Sequence, residues 1–423
     1  MKNRVQGFSR DGIQVRWGLV GAQRYLKASW PVRYGLFHEI RTPSYLFQFS
    51  AEGVIRFVQG RPGTWHEHTD WFKRTAGGDW VYYSSGGYNG AFSAIGEHYI
   101  PIFPYHSNPV IGEKAYPAET LRAVLQALET LTAWAEKVAE ELPPEGAAFL
   151  SCVARKNQKD TLASQADRFH ELTHGPLTVL PPDCRHVDYD ILPLRLARGC
   201  LYHCRFCEVK SSQTFAVEAP DHVTEQVASF SDHFKADLIH MGGVFLGEHD
   251  ALAAGEGPVV AAAEACETLF SGDGRMADRP SLFLFGSPHA LLNVSEAGWE
   301  ALDHLPFNVA INTGVESLDP PTLDYLGRPT PVALVKEAVK RADEVMRRCR
   351  NVSVSLNMVT GDALPPSHHE SLSCFVASRD TRDAPLYLSP LKDHAHRRTT
   401  MAEFTALKRI SRAPLFLYLL QRL

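Results

Sequence analysis

Three cysteines, Cys200, Cys204 and Cys207, stand in the run Arg198-Gly199-Cys200-Leu201-Tyr202-His203-Cys204-Arg205-Phe206-Cys207, a C-x-x-x-C-x-x-C spacing. Such a group supplies three thiolates to a four-iron cluster and leaves one iron without a protein ligand. Four-cysteine ligation closes a cluster for electron transfer, whereas an open iron binds a small molecule through its amino and carboxylate groups. The alternative is zinc, held by cysteines with His203 nearby. A closed zinc site wants a fourth ligand at a second short spacing, and the chain has no second C-x-x-C. The five other cysteines, Cys152, Cys184, Cys266, Cys349 and Cys374, are scattered singly and read as reduced packing residues.

The spacing, the Arg-Gly ahead of the first cysteine and Phe206 ahead of the last together resemble the signature of the radical S-adenosylmethionine (radical SAM) enzymes. The resemblance implies Cys200, Cys204 and Cys207 as ligands of a 4Fe-4S cluster whose open iron chelates SAM. One electron then cleaves the sulfonium to methionine and a 5′-deoxyadenosyl radical. The likeness covers roughly residues 190–395 and is most specific at the cysteines.

Further residues follow from the same resemblance. A second apolar run ends Ile239-His240-Met241-Gly242-Gly243, and glycines at a strand end let the backbone approach a ligand. Gly242 and Gly243 match the stretch that contacts the amino group of SAM, with Val244 replacing its usual acidic third member. Phe245-Leu246-Gly247-Glu248-His249-Asp250 is similar to an acidic loop of one large group of these proteins. Its polar residues face the substrate or cap the helix that follows. Gly314-Val315-Glu316-Ser317, with the stretch running to Arg328, resembles the G-x-E-S … L-x-x-x-x-R/K segment, whose Glu lies near SAM. A carboxylate is costly to bury alone, so Glu316 is either paired structurally or aimed at a polar ligand. Ser287 and His289 follow the third apolar run, and Asn357 lies in the fifth, with His368 and His369 beyond it. A neutral imidazole there serves as proton donor or substrate contact. Glu316 and His289 are thus the expected catalytic residues, and Phe206, Gly242, Gly243, Ser287, Asn357 and Glu316 the expected cofactor contacts. Trp65-His66-Glu67-His68 invites a metal reading without a third ligand to complete it.

These residues need a scaffold. From Ile191 onward short apolar runs alternate with helix-like stretches: Ile191 to Ala197, Leu238 to Met241, Ser281 to Phe285, Asn308 to Ile311, Val352 to Val359 and Pro385 to Leu388. The helix over 330–349 puts Val335, Ala338, Val339, Ala342 and Val345 on one face. Six such units predict an α/β fold with a parallel sheet, a (β/α)6 partial TIM barrel whose chemistry sits at the C-terminal ends of its strands. Residues 13–105 alternate aromatic and polar positions between Gly and Pro, and a long helix opened by Pro117 carries the stripe Leu121, Val124, Leu128, Leu131 and Val138. The expected domains are an N-terminal β-rich α+β unit over 1–186, the core over 187–395, and an extension over 396–423 that packs on the core. The N-terminal unit is expected to cover the mouth of the barrel and to select the substrate.

A net charge of −5 argues against a broad phosphate-binding surface, so nucleic acid is an unfavoured partner. No apolar leader or membrane-length stretch is present, and a cytoplasmic location is expected. The function that fits is hydrogen abstraction from a small-molecule or peptide substrate, with a ferredoxin or flavodoxin as low-potential electron donor. The alternatives are a radical SAM enzyme that modifies RNA and a non-catalytic iron-sulfur or zinc scaffold.

Overall fold

The computed structural model describes residues 6–21, 36–64, 71–74, 77–78, 80–83, 100–101, 118–175, 191–207, 213–247, 249–272, 279–391 and 397–417. Expectations placed on Trp65-His66-Glu67-His68, Pro117, Cys184 and Glu248 lie outside these residues.

Alternation at a period of two makes the N-terminal region an antiparallel meander. Its strands are β1 (Gln6–Arg10), β2 (Ile13–Val20), β3 (Leu36–Arg41), β4 (Tyr45–Phe49), β5 (Ile55–Gly60), β6 (Trp71–Arg74), β7 (Trp80–Tyr83) and β8 (Ile100–Pro101), paired in chain order. Val15, Ile40, Phe47, Phe49, Ile55 and Phe72 share one buried face. The helix Ala118–Ala139 lays Leu121, Val124, Leu128 and Leu131 upon it, the stripe expected from its 3.6-residue period. The helix Pro144–Lys156 adds Phe149, Leu150 and Val153.

A second sheet contains β9 (Leu192–Leu194), and a two-stranded ribbon of β10 (Ala197–Arg198) with β11 (Ala216–Val217) follows it. The second sheet continues with β12 (Gly243–Leu246), β13 (Ser281–Gly286), β14 (Asn308–Glu316), β15 (Val352–Thr360), β16 (Leu386–Pro390) and β17 (Leu415–Leu417). Its order is β9-β12-β13-β14-β15-β16-β17, and all neighbours run parallel. Helices carry the chain back between strands, among them Pro220–Phe234 and Val332–Arg348, so the C-terminal strand ends share one edge. Outward residues such as Leu246, Leu284, Ile311, Val354 and Leu386 form a continuous core with these helices. The described sheet has seven strands in place of six, because Leu415–Leu417 joins it as an edge strand. The last segment packs on the core through Phe404 and Leu407 of the helix Arg397–Ile410 and also extends the sheet.

One expected strand is displaced. Lys235–His240 is a 3₁₀ helix and the strand starts at Gly243. The apolar run at Leu238–Met241 is interrupted by its partners: Asp237 Oδ2 accepts from Ser50 Oγ at 2.7 Å, Asp237 Oδ1 from the Glu52 amide at 2.8 Å, and His240 Nε2 from the Ala51 amide at 3.2 Å. Gly242 and Gly243 therefore lie at the start of β12, the edge opposite the strand ends, and do not contact a ligand at the mouth. Gly243 is required by strand approach, since a Cβ there would lie 2.0 Å from the Ser281 carbonyl oxygen.

The same bonds locate the contact between the two sheets. The turn Ser50–Gly53 docks on Asp237 and His240 below β12, and Phe169 packs at 6.2 Å from Phe230 and 5.6 Å from Phe234. The described contacts thus seat the N-terminal unit on the N-terminal strand edge, where cover over the mouth was expected.

This latch is sensitive to acid. Burial first, then the charges of Arg56 and His38, hold His240 well below the usual imidazole value of 6.5, and its Nε2 must stay unprotonated to accept from Ala51. The unfolded chain titrates near 6.5, so the stability from neutral His240 is complete above that pH and is lost as pH falls below it. His38, His233 and His368 are shifted in the same direction, so the variant is read against the parent. His240→Gln, which keeps an acceptor, should show a shallower fall in Tm between about pH 7 and pH 5. Equal slopes would show that the latch does not titrate.

Candidate active site at the strand ends

β9 runs out through Gly199 into the cysteine loop. Gly199 has φ +73°, and a Cβ there would stand 2.5 Å from the Thr214 carbonyl oxygen, so a side chain is excluded at this turn. The Arg205 amide donates to the Leu326 carbonyl at 2.8 Å, and the Cys207 amide to the Cys204 carbonyl at 3.3 Å, which pins the loop against the helix Pro320–Leu326. Cys200, Cys204 and Cys207 are free thiols, Cys204 buried and the other two half-buried. Burial pushes the Cys200 thiol up; the Tyr202 amide, donating to its Sγ at 3.3 Å, opposes this, while Cys204 and Asp250 add to it.

Arg328 turns back beneath this loop. Gly327 ends the preceding helix in the left-handed region, φ +63°, where a Cβ would meet Arg205 Cγ at 2.9 Å. Arg328 Nη1 then donates to Cys204 Sγ at 3.4 Å and Nη2 to the Gly314 carbonyl at 2.8 Å, with the guanidinium 4.5 Å from the Tyr202 ring centre. A cation aimed at a sulfur stabilises the thiolate, the form that ligates metal.

Glu316 closes β14 at a bulge. It is 6% exposed and sits at φ +61°, a left-handed conformation that costs a non-glycine residue about 1–2 kcal/mol and persists only where its surroundings hold it. Gly314 makes room, for a Cβ there would lie 2.5 Å from Glu316 Oε1. Burial raises the Glu316 pKa; Arg328 opposes that, as does Asn357, whose Nδ2 reaches Glu316 Oε2 at 3.5 Å. Asn357 Oδ1 in turn accepts from Ser389 Oγ at 2.6 Å, which orients the amide.

At the end of β12, Asp250 is buried with its Oδ1 accepting from the Ser287 amide at 3.0 Å. Its Oδ2 has no partner among the described residues, nor has Arg328 Nε or His249 Nε2. Burial raises the Asp250 pKa, while its bonds to Ser287 and the charge of Arg328 lower it. Buried polar atoms left unmatched are costly in a finished core and mark a place where a polar ligand completes the bonding. Asp250, Glu316 and Arg328 thus present two carboxyl groups and one cation beside the thiols.

The structure sorts the remaining expectations. Phe206 packs on Leu326, Val359 and Leu364, beside the loop it belongs to. Ser287 is at the strand end, but its Oγ caps the helix Pro288–Asn293 by accepting from the Ala290 amide at 3.2 Å. His289 is exposed in the first turn of that helix and joins none of these bonds, which removes the geometric ground for a catalytic role: the helix capped at Ser287 turns it outward. His368 is buried, 2.9 Å from Ser317 Oγ and 3.0 Å from the Val359 carbonyl, and serves the packing of β14 on its neighbours. The residue that sequence reading left without a role is Arg328, whose only signal is its place at the end of the segment that starts at Gly314. For zinc, His203 is exposed, and among the described residues no three His, Cys, Asp or Glu side chains converge on a point that would hold one ion. A cluster takes each thiolate on a different iron and needs no such convergence.

The chain is similar to solved radical SAM enzymes. They include the cobalamin-dependent S-adenosylmethionine radical enzyme OxsB, at 12% identity and TM-score 0.35 over 52% of this chain and 30% of that one. Coproporphyrinogen III oxidase (HemN) from Escherichia coli aligns at 14% identity and TM-score 0.35, over 52% and 47% of the two chains. A radical SAM methyltransferase from Sphaerobacter thermophilus aligns at 14% identity and TM-score 0.34, over 53% and 64%. The alignment covers less than two thirds of each of these three chains. No family model matches the chain, and no curated protein matches it. Likeness this distant carries no argument about chemistry, which rests on the residues above. Among the described residues no helix is long and apolar enough to cross a membrane.

Proposed function

We propose that this chain is a radical SAM enzyme, with the parallel sheet curled as a partial barrel around its site. The observation that carries the reading is the loop of three free thiols at the strand ends with Arg328 donating to Cys204. Cys200, Cys204 and Cys207 would hold a 4Fe-4S cluster, and the donor set fits it: three thiols, a cation to balance thiolate charge, and unmatched polar atoms of Asp250 and Arg328 beside them. When bound, the cluster supplies the electron that cleaves SAM and so starts hydrogen abstraction. Arg328 offers a carboxylate partner and Asp250 and Glu316 offer partners for an amino group or ribose, so the chain's own residues orient the cofactor. The aromatic wall of Phe245, Phe283 and Phe285 on neighbouring strands would keep water from a reactive intermediate. A ferredoxin or flavodoxin would supply the electron, and a small molecule or peptide is the substrate class.

Anaerobic loading with iron and sulfide, followed by reduction with SAM, should release 5′-deoxyadenosine and methionine. A loaded and reduced protein that leaves SAM intact would instead support the scaffold reading. Within the enzyme reading, Glu316→Gln should weaken SAM binding about tenfold or more with iron content unchanged, since a hydrogen bond to a charged group contributes about 1.5–3 kcal/mol. If only thermal stability falls, Glu316 is structural.

A further inference from the structure

A cavity of about 420 Å³ lies in the seam between the N-terminal meander and the parallel sheet. That size falls within the range of small-molecule sites. Phe234, Lys235 and Asp237 on its wall precede β12, whereas the cysteine loop follows the far end of β9, so the two sites lie at opposite edges of the sheet.

Its walls are cationic although the chain as a whole is not. Arg56, Arg74, Lys156, Arg168 and Lys235 line it against the carboxylates Glu52, Asp232 and Asp237. Two of those carboxylates are engaged: Glu52 Oε2 lies 2.8 Å from Lys156 Nζ, and Asp237 accepts from Ser50 and the Glu52 amide. Burial also pushes the Asp237 carboxyl toward its neutral form. Arg74 directs Nη2 to the Leu162 carbonyl at 2.8 Å, whereas Arg168 and Lys235 have no carboxylate within ion-pair distance among the described residues. Lys235 holds φ 49° at the helix end, a conformation rare for a side-chain-bearing residue, in this wall. Thr161 and Ser164 add hydroxyls to the same space, and Ile55 and Phe234 add apolar surface. Unshared cations beside hydroxyl donors and a small apolar patch match an organic anion.

We propose that this seam cavity binds a small polyanion, a phosphorylated or multiply carboxylated metabolite, independently of the cysteine site. Its anionic groups meet Arg168 and Lys235, and its carbon skeleton lies on Phe234 and Ile55. Because one wall comes from the N-terminal unit and the other from the helix end and 3₁₀ turn that lead into β12, the bound anion bridges the seam and stabilises the folded chain by mass action.

Calorimetric titration of the full chain with inorganic pyrophosphate, and separately with citrate, at fixed ionic strength tests this. Saturable binding of at least one probe is expected, weakened about tenfold or more in Arg168→Glu, since each charged hydrogen bond is of that order. Arg168 is exposed, so the variant should keep the parent Tm in the absence of anion. Lys340→Glu, an equal charge change on an exposed helix outside the cavity, should bind like the parent. Pyrophosphate alone would mark phosphate as the recognised group, citrate alone carboxylate, and either supports the site. No saturable binding of either probe, undiminished binding in Arg168→Glu, or equal loss in Lys340→Glu would overturn it.

Discussion

Cys204→Ala is expected to abolish the visible absorbance of anaerobically loaded protein and to remove most of its iron. Cys204 is the middle cysteine and the most deeply buried of the three, with the Arg328 guanidinium directed at its sulfur. Loss of an outer-shell partner of a metal ligand costs about 10–100-fold in affinity, and loss of the ligand itself should exceed that. Alanine fits the buried position, so Tm of the metal-free chain should move little, which separates loss of ligation from loss of fold. Cys374→Ala serves as control, because that thiol is exposed on the helix Pro366–Ser378, away from the loop. Iron and colour retained in Cys204→Ala, with loss in another cysteine variant, would move the site elsewhere and end the radical SAM reading.

What the sequence made legible was local in the chain. The cysteine loop spans a few residues, so its spacing states its geometry before any fold is known. The helix Val332–Arg348 was legible for the same reason, since its buried positions repeat at 3.6 residues, and the strands Asn308–Glu316 and Val352–Thr360 announced themselves as short apolar runs, buried almost throughout as strands of a covered parallel sheet are. The displaced second strand shows the converse. Its true start depends on Asp237 and His240 meeting Ser50 and Ala51, pairs separated by 187 and 189 positions, and no periodicity within the run carries that information. Gly242 and Gly243 were expected to let the backbone approach a ligand, whereas the group that approaches Gly243 is the Ser281 carbonyl of the next strand.

The site divides along the same line. Glu316 could be singled out from the glycine at Gly314 and the cost of burying a carboxylate, but its left-handed backbone and bulge are visible only in three dimensions. His289 was, like Glu316, a polar residue expected at a strand end. The Ser287 cap then fixes a helix that turns it to solvent, a choice made by one hydrogen bond. Arg328 lies 124 positions from the sulfur it touches, which is why its role emerged from the fold alone.

Arg328→Met should have the second large effect, and it should separate three consequences. Methionine keeps much of the buried volume and removes the charge, so the loop loses its donor to Cys204 Sγ and its bond to the Gly314 carbonyl while its backbone tie to Leu326 remains. Iron should still load, because all three cysteines remain, but it should be held about 10–100-fold more weakly. The reduction potential should fall, because hydrogen bonds to a cluster's sulfurs favour the reduced, more negative state. Apparent SAM affinity should drop about 10–100-fold, the loss of a charge-assisted bond of about 1.5–3 kcal/mol to the ligand carboxylate. The third consequence lies with Glu316, for Arg328 is the largest influence opposing the effect of burial on it. Without that cation the carboxyl takes up a proton or destabilises the fold, so Tm of Arg328→Met should fall, relative to the parent, as pH rises above the ordinary carboxyl value of 4.5. Adding Glu316→Gln removes the charge that lacks a partner and should restore Tm without restoring SAM affinity, a non-additivity expected only of residues that interact. Additive losses in the double variant, or an unchanged potential with full SAM affinity in the single one, would mean that Arg328 merely packs against Tyr202.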